Sequence, residues 1–126
     1  RMHKEWLKVD QALVRVVNRT RRNGSRVVGV GTTVVRALET ASQNGQLLPF
    51  EGETDLYIYP GYRFRTVDVL LTNFHLPRSS LLIMVSAFLG IDRIREVYEH
   101  ALKQRYRFFS YGDCMILNKA ENLDEV

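Results

Sequence analysis

A chain of 126 residues, 45% hydrophobic and 25% charged, is sized for one domain with a real core and is not the composition of a disordered one. Its longest apolar run, Leu81 to Leu89 broken only by Ser86, falls well short of the roughly 20 residues a membrane-spanning helix needs, and the opening Arg1-Met2-His3-Lys4-Glu5-Trp6 has no secretory apolar region. Cys114 is the single cysteine, so no internal disulfide and no cysteine-rich zinc site is expected, and a reducing cytoplasm is the expected setting. The net charge of +4 is uneven: residues 1–36 hold nine Lys/Arg against two acids, 37–75 hold two against five, and 76–126 balance seven against seven. A basic N-terminal third either draws a polyanion to that side or simply solvates a helix face.

In chain order, Asp10 to Gly24 is expected to be a helix. Asp10 caps it, Leu13, Val16, Val17 and Thr20 recur at helical spacing, and Gly24 suits the position beyond the last turn. Arg15, Arg19 and Arg22 then share another face at i, i+4 and i+7. Arg26 to Val30 is a short apolar strand, followed by the turn Gly31-Thr32-Thr33. Val34 to Asn44 is a second helix capped by Thr33 and stopped by Gly45, and Gly45 to Thr54 is loop. Asp55 to Tyr59 alternates like a strand and runs into Tyr59-Pro60-Gly61-Tyr62, a type II turn in which proline fixes φ and glycine supplies positive φ. Val67 to Asn73 is a more continuously apolar strand, and the two strands flanking the turn are expected to form a local antiparallel pair. Phe74-His75-Leu76-Pro77 breaks the second, since residues before proline avoid the helical region.

Ser79 or Ser80 caps a helix to Leu89 that is apolar on nearly all sides and so buried. Asp92 caps a fourth helix through about Lys103, with Arg95 and Glu99 paired at i, i+4, and Tyr111 to Leu117 returns as a final strand. Strands alternating with helices of this length argue for an α/β fold, a layered sheet with helices built on βαβ units. One domain is expected over residues 1–126, ending in a flexible tail over 118–126.

Three loops follow expected strands: Gly31-Thr32-Thr33, Asn73-Phe74-His75 and the Tyr59–Tyr62 turn. Ligands in open α/β sheets sit beyond the carboxyl ends of strands, and helix N-termini there favour carboxylates or phosphates. Gly29-Val30-Gly31 lacks the third glycine of the dinucleotide fingerprint and the Walker lysine, so a tight strand-to-helix turn explains it as well as a ligand does. His75 supplies a general base near neutral pH without tuning, or ties loop backbone together. Asn73 presents an amide to a substrate hydroxyl or caps the turn. Arg105-Tyr106-Arg107-Phe108-Phe109-Ser110-Tyr111 interleaves cations with aromatics, as RNA sites do and as a packed core also does. Asp113 beside it is an acid/base or a turn residue. No H-E-x-x-H, no P-C-x-x-C and no G-x-S-x-G is present, which argues against metal and acyl-enzyme chemistry.

The blocks Met2-His3-x-Glu5-Trp6, Gly31-Thr32-Thr33-x-x-Arg36-x-Leu38-Glu39 and Tyr59-Pro60-Gly61-Tyr62-x-Phe64 occur in that order. They are followed by Leu70-Leu71-Thr72-Asn73-Phe74-His75-Leu76-Pro77-x-Ser79, Val85-Ser86-Ala87-Phe88 and Tyr106-Arg107-Phe108-Phe109-Ser110-Tyr111-Gly112-Asp113. Together they resemble the S-adenosylmethionine:tRNA ribosyltransferase-isomerase family of queuosine biosynthesis, over almost the whole chain up to Leu117. The resemblance implies an enzyme that moves and isomerises the ribosyl part of S-adenosylmethionine onto the 7-aminomethyl-7-deazaguanine of tRNA, giving epoxyqueuosine-tRNA, adenine and methionine. It also implies that this chain is the C-terminal part of the α/β domain of a two-domain enzyme. A β-barrel domain and the N-terminal part of the same chain would complete it, and the fragment alone would be inactive.

On this resemblance His75 is the first choice for the base that takes the C5′ proton, and Asp113 the second. Asn73, Thr32 and Thr33 would hold ribose hydroxyls or the methionine carboxylate. Gly31, Arg36 and Tyr59 would also line the substrate site, with Tyr62 or Tyr111 stacking on a base. Arg63, Arg65, Arg105 and Arg107 would meet tRNA phosphates. No metal, no redox cofactor and no membrane is implied, because S-adenosylmethionine is itself the donor. The alternative is an inactive fragment or a stand-alone RNA-binding module, in which arginines 15, 19, 22 and 26 carry the function.

Overall fold

The structure, a computed structural model, describes residues 4–76, 79–108 and 112–120. Its first element is a strand that the sequence did not announce, β1 (Glu5–Val9), in which Leu7 and Val9 point inward. Helix α1 (Gln11–Arg22) follows, and the Asp10 carboxylate accepts from the Leu13 N–H at 2.9 Å as the capping argument required. Gly24, at φ +75°, takes the left-handed position beyond the last turn. The buried stripe of α1 is Val14 and Val17, whereas Leu13 and Val16 are 42% and 49% exposed. Apolar residues occupy a wide arc of this helix, and only its Val14–Val17 edge meets the core.

Strand β2 (Val28–Val30) leads directly into α2 (Thr32–Thr40), whose N-cap is Gly31 and not Thr33. Gly31 sits at φ 95° and ψ 150°, a region that is essentially glycine's alone. Nothing lies within 4 Å of a Cβ built there, so Gly31→Ala isolates the backbone term. We expect that variant to lose about 1–3 kcal/mol of stability, read as a lower urea midpoint; an unchanged midpoint would contradict the strain assigned here. At Gly29 the constraint is space, because an added Cβ would come to 3.2 Å from Val35 Cγ2 where α2 crosses β2.

The span expected to be loop contains β3 (Phe50–Thr54), which pairs antiparallel with β1 in the register Leu7 to Gly52. Conversely, Asp55 to Tyr59 is not a strand: no other strand pairs with it, and its Leu56 carbonyl is taken by the Arg36 guanidinium at 3.1 Å. The expected antiparallel pair across Pro60-Gly61 is therefore absent among the described residues. The turn itself forms, with Tyr62 N–H donating to Tyr59 O at 3.0 Å and Gly61 at φ 103°.

Strand β4 (Val69–Asn73) pairs parallel with β2 and antiparallel with β5 (Cys114–Asn118), giving the order β2-β4-β5. Between them lie α3 (Ser80–Leu89), capped by the Ser79 hydroxyl, and α4 (Ile91–Lys103). Gly90 caps α4 where Asp92 was expected, and Arg95 pairs with Asp92 at 3.8 Å instead of Glu99. Residues 118–120 are not tail: Asn118 closes β5, and the N–H groups of Lys119 and Ala120 donate to Asp68 O and Phe88 O, each at 2.9 Å. Residues 121–126, like Tyr111, lie outside the described residues.

One sheet face, carrying Gly29, Leu70, Met115 and Leu117, is buried under α2 and α3. Met84 and Phe88 of α3 are fully buried there, each contributing roughly 2–3 kcal/mol by removal from water. Val28, Val30 and Ile116 on the other face are exposed. Among the described residues no helix is long and apolar enough to cross a membrane.

Candidate active site

Because β2 and β4 run parallel, their carboxyl ends lie side by side, and the loops leaving them emerge at the same end of the sheet. Gly31 N–H donates to Leu71 O at 2.8 Å, which locks the start of α2 against the end of β4. Thr32 and Thr33 occupy the first turn of α2, whose unpaired N–H groups attract anions. Asn73 ends β4 opposite Cys114 and donates its amide to Asp113 O at 3.4 Å. Six of the expected residues thus share one end of the sheet: Gly31, Thr32, Thr33, Asn73, His75 and Asp113.

His75 is held from two sides. Its backbone N–H donates to the Tyr98 hydroxyl oxygen at 2.7 Å, and its Nε2 lies 3.1 Å from Thr72 Oγ1. Tyr98 is itself wedged in an aromatic cluster, with its ring 5.4 Å from Phe74 and 5.9 Å from Phe108, while Phe74 stacks on Phe108 at 5.2 Å. Burial lowers the His75 pKa below the ordinary histidine value of about 6.5, so the ring is neutral and able to accept a proton at neutral pH. Asp113 is the weaker base of the pair. The Arg107 backbone N–H, aided by its guanidinium 3.4 Å away, holds the Asp113 carboxyl below the usual carboxylate range.

Other expected site residues lie elsewhere. Arg36 is 1% exposed, and its guanidinium is consumed by Glu5 Oε1 at 2.7 Å, Leu56 O at 3.1 Å and Thr54 O at 3.2 Å. It docks the β1–β3 ribbon onto α2 and is not presented to a substrate. Tyr62 sits at the far end of α2, about 10 Å along its axis from Thr32. There its hydroxyl donates to Glu39 Oε1 at 3.1 Å and accepts from Gln43 Nε2 at 3.0 Å. Burial and the Glu39 charge raise its pKa. Tyr59 is exposed and packs its ring 5.6 Å from Tyr57. The four expected RNA contacts split into two exposed pairs: Arg63 and Arg65 with the Tyr62 segment, Arg105 and Arg107 in the segment after α4.

Three residues of consequence carry no site role in the sequence reading, although Glu39 and Thr72 stand within its motif blocks. Glu39 is fully buried, and its carboxylate accepts from the N–H groups of Arg65, Thr66 and Val67 at 2.8, 2.9 and 3.1 Å. Tyr98 and Thr72 hold His75. Tyr98 could have been found, since it falls four residues after Ile94 and three before Ala101, on the inward face of α4. Among the described residues no three His, Cys, Asp or Glu side chains come together to hold a metal ion.

The family model described as Queuosine biosynthesis protein matches residues 1–117. The chain belongs to the Queuosine biosynthesis protein family. Within that family it is 64% identical to the S-adenosylmethionine:tRNA ribosyltransferase-isomerase of Stenotrophomonas maltophilia, over 92% of this chain and 34% of that protein. It is 54% identical to the same-named protein of Coxiella burnetii, over 94% of this chain and 34% of the relative. The crystal structure of S-adenosylmethionine tRNA ribosyltransferase from Thermotoga maritima superposes with a TM-score of 0.84 at 50% identity, covering 88% of this chain and 39% of that one. The α/β fold is thus the family's, and the chain spans about a third of the length of these curated relatives.

Proposed function

We propose that the full-length protein transfers the ribosyl moiety of S-adenosylmethionine to the 7-aminomethyl-7-deazaguanine of tRNA and isomerises it, giving epoxyqueuosine-tRNA, adenine and methionine. The observation that supports this reading is that a doubly anchored His75 and the α2 N-terminus both lie at the carboxyl ends of the parallel strands β2 and β4. The sulfonium acidifies the ribose C5′ protons, and the His75 imidazole takes one of them. Thr32, Thr33 and Asn73 hold ribose hydroxyls or the methionine carboxylate, the latter favoured by the helix N-terminus. Tyr111, outside the described residues, stacks on a base in this reading, and Arg105 and Arg107 meet phosphate. S-adenosylmethionine acts as substrate, with no separate cofactor, and the reaction belongs in the cytoplasm with its tRNA.

The test uses the full-length protein with S-adenosylmethionine labelled in the ribose and tRNA carrying 7-aminomethyl-7-deazaguanine. Label appearing in the tRNA with one adenine released per transfer is the expected result. Adenine release without label in the tRNA would remove the transferase reading.

A further inference from the structure

Helix α1 presents a stripe of guanidiniums that the proposed chemistry does not use. Arg15, Arg19 and Arg22 recur at i, i+4 and i+7 on its exposed side, and the helix sequence from Gln11 to Arg22 contains no acidic residue. The carboxylate that precedes it in sequence, Asp10, is engaged as the N-cap. Among the described residues none of Arg15, Arg19, Arg21 or Arg22 forms an ion pair. The favourable placement of cations in a last helical turn accounts for Arg19, Arg21 and Arg22 individually. It does not account for Arg15, nor for the alignment of three arginines on one side.

A second feature adjoins the stripe. A shallow recess of about 390 Å³ is lined by Asn18, Arg21, Arg22 and Gln46. Every lining side chain carries N–H donors, and none is a carboxylate. Two guanidiniums and two amides around one depression match the acceptor oxygens of a phosphodiester and the hydroxyls of its ribose, and arginine is the side chain whose planar fork fits phosphate oxygens two at a time. Arg22 belongs to both features, so stripe and recess form one continuous positive surface.

We propose that this face of α1, with the Asn18–Arg21–Arg22–Gln46 recess, is a docking surface for the sugar–phosphate backbone of the RNA substrate. It rests on the reading of tRNA as substrate and adds a contact apart from the Arg105–Arg107 segment. The contact positions the RNA and carries no base readout, since the groups offered are donors to phosphate and ribose.

The experiment measures binding of a fluorescently labelled tRNA transcript to the full-length protein across a range of salt concentrations. Variant R15Q/R19Q/R22Q should bind about tenfold or more weakly near physiological salt, with a log K against log salt slope shallower by roughly two. Variant R15K/R19K/R22K should keep most of that slope, because the charges remain. Wild-type affinity and slope in the glutamine variant would overturn the proposal, as would weaker binding with an unchanged slope. Should the triple variant fail to fold, Arg22→Gln alone reads the same point, with a slope change of roughly 0.7–0.9 expected and none overturning it. Ribosyl transfer is followed in parallel. A shallower slope in the glutamine variant, beside a wild-type protein that transfers no ribose, keeps the docking surface and removes the proposed reaction, whereas normal wild-type transfer with an unaltered variant slope does the reverse.

Discussion

Replacing His75 with alanine in the full-length protein should lower turnover by about 10²–10⁴-fold while S-adenosylmethionine still binds. The imidazole is offered as the proton acceptor, not as a binding group, and its backbone anchor to Tyr98 survives the substitution because the N–H remains. The pH profile carries the same assignment. Burial holds the His75 pKa below its ordinary value, so the neutral base persists on acidification further than a free histidine would. Activity should therefore fall only as pH drops through that lowered value, and the alanine variant should lose this acid limb. Tyr98→Phe removes the oxygen that accepts from His75 N–H, and should move the limb upward by loosening and rehydrating the ring. Single-turnover kinetics beside direct binding of S-adenosylmethionine decide the matter. Lost binding with intact turnover at saturation would return His75 to a loop-fastening role.

Glu39→Ala should cost about 4 kcal/mol or more, a large part of the 5–15 kcal/mol that holds a typical domain together. The carboxylate is fully buried, and it satisfies three consecutive backbone N–H groups together with the Tyr62 hydroxyl. Removing it strands the buried N–H groups of Thr66 and Val67, each worth roughly 1–3 kcal/mol when left unpaired, takes the partner from the part-buried Arg65 N–H and Tyr62 hydroxyl, and opens a void. Glu39→Gln fills the space but turns an amide donor toward N–H donors, and should lose roughly half as much. Urea denaturation followed by circular dichroism measures both. A loss below about 1 kcal/mol for the alanine variant would mean that something else fixes the segment before β4.

The elements legible in the sequence are those whose signals are local. Asp10 and Ser79 cap helices with their own side chains, Gly24 and Gly61 take positive φ, and β4 is a continuous apolar run. β1 and β3 were missed because their pairing is non-local. Phe50-Glu51-Gly52-Glu53-Thr54 has little strand propensity of its own and is ordered by β1 beside it and by Arg36, which takes the Thr54 carbonyl. Asp55 to Tyr59 shows the converse, an alternating pattern without another strand to pair with.

The candidate site divides in the same way. Asn73 and His75 lie at and just beyond the carboxyl end of β4, as the loop-after-strand reading expects, and Asp113 immediately precedes β5. Arg36 and Tyr62 sit in equally distinctive motifs, yet the partners that consume them, Glu5, Thr54, Leu56 and Glu39, lie 18 or more residues away in sequence or on a neighbouring element. A motif marks a residue as constrained without saying whether a substrate or the fold constrains it.

Irregular chain between two strands is ordinarily where proteases cut and where insertions are tolerated. Residues 55–68 have that appearance, with neither helix nor strand. Arg36 grips the start of the stretch, Glu39 grips its end, the Ser42 and Thr66 hydroxyls meet at 2.6 Å, and Ile58, Phe64 and Val67 are sunk in the core. Cleavage or insertion there would require the core itself to open, so the longest connection in the described chain is among its least suitable places for a cut, a tag or a circular permutation.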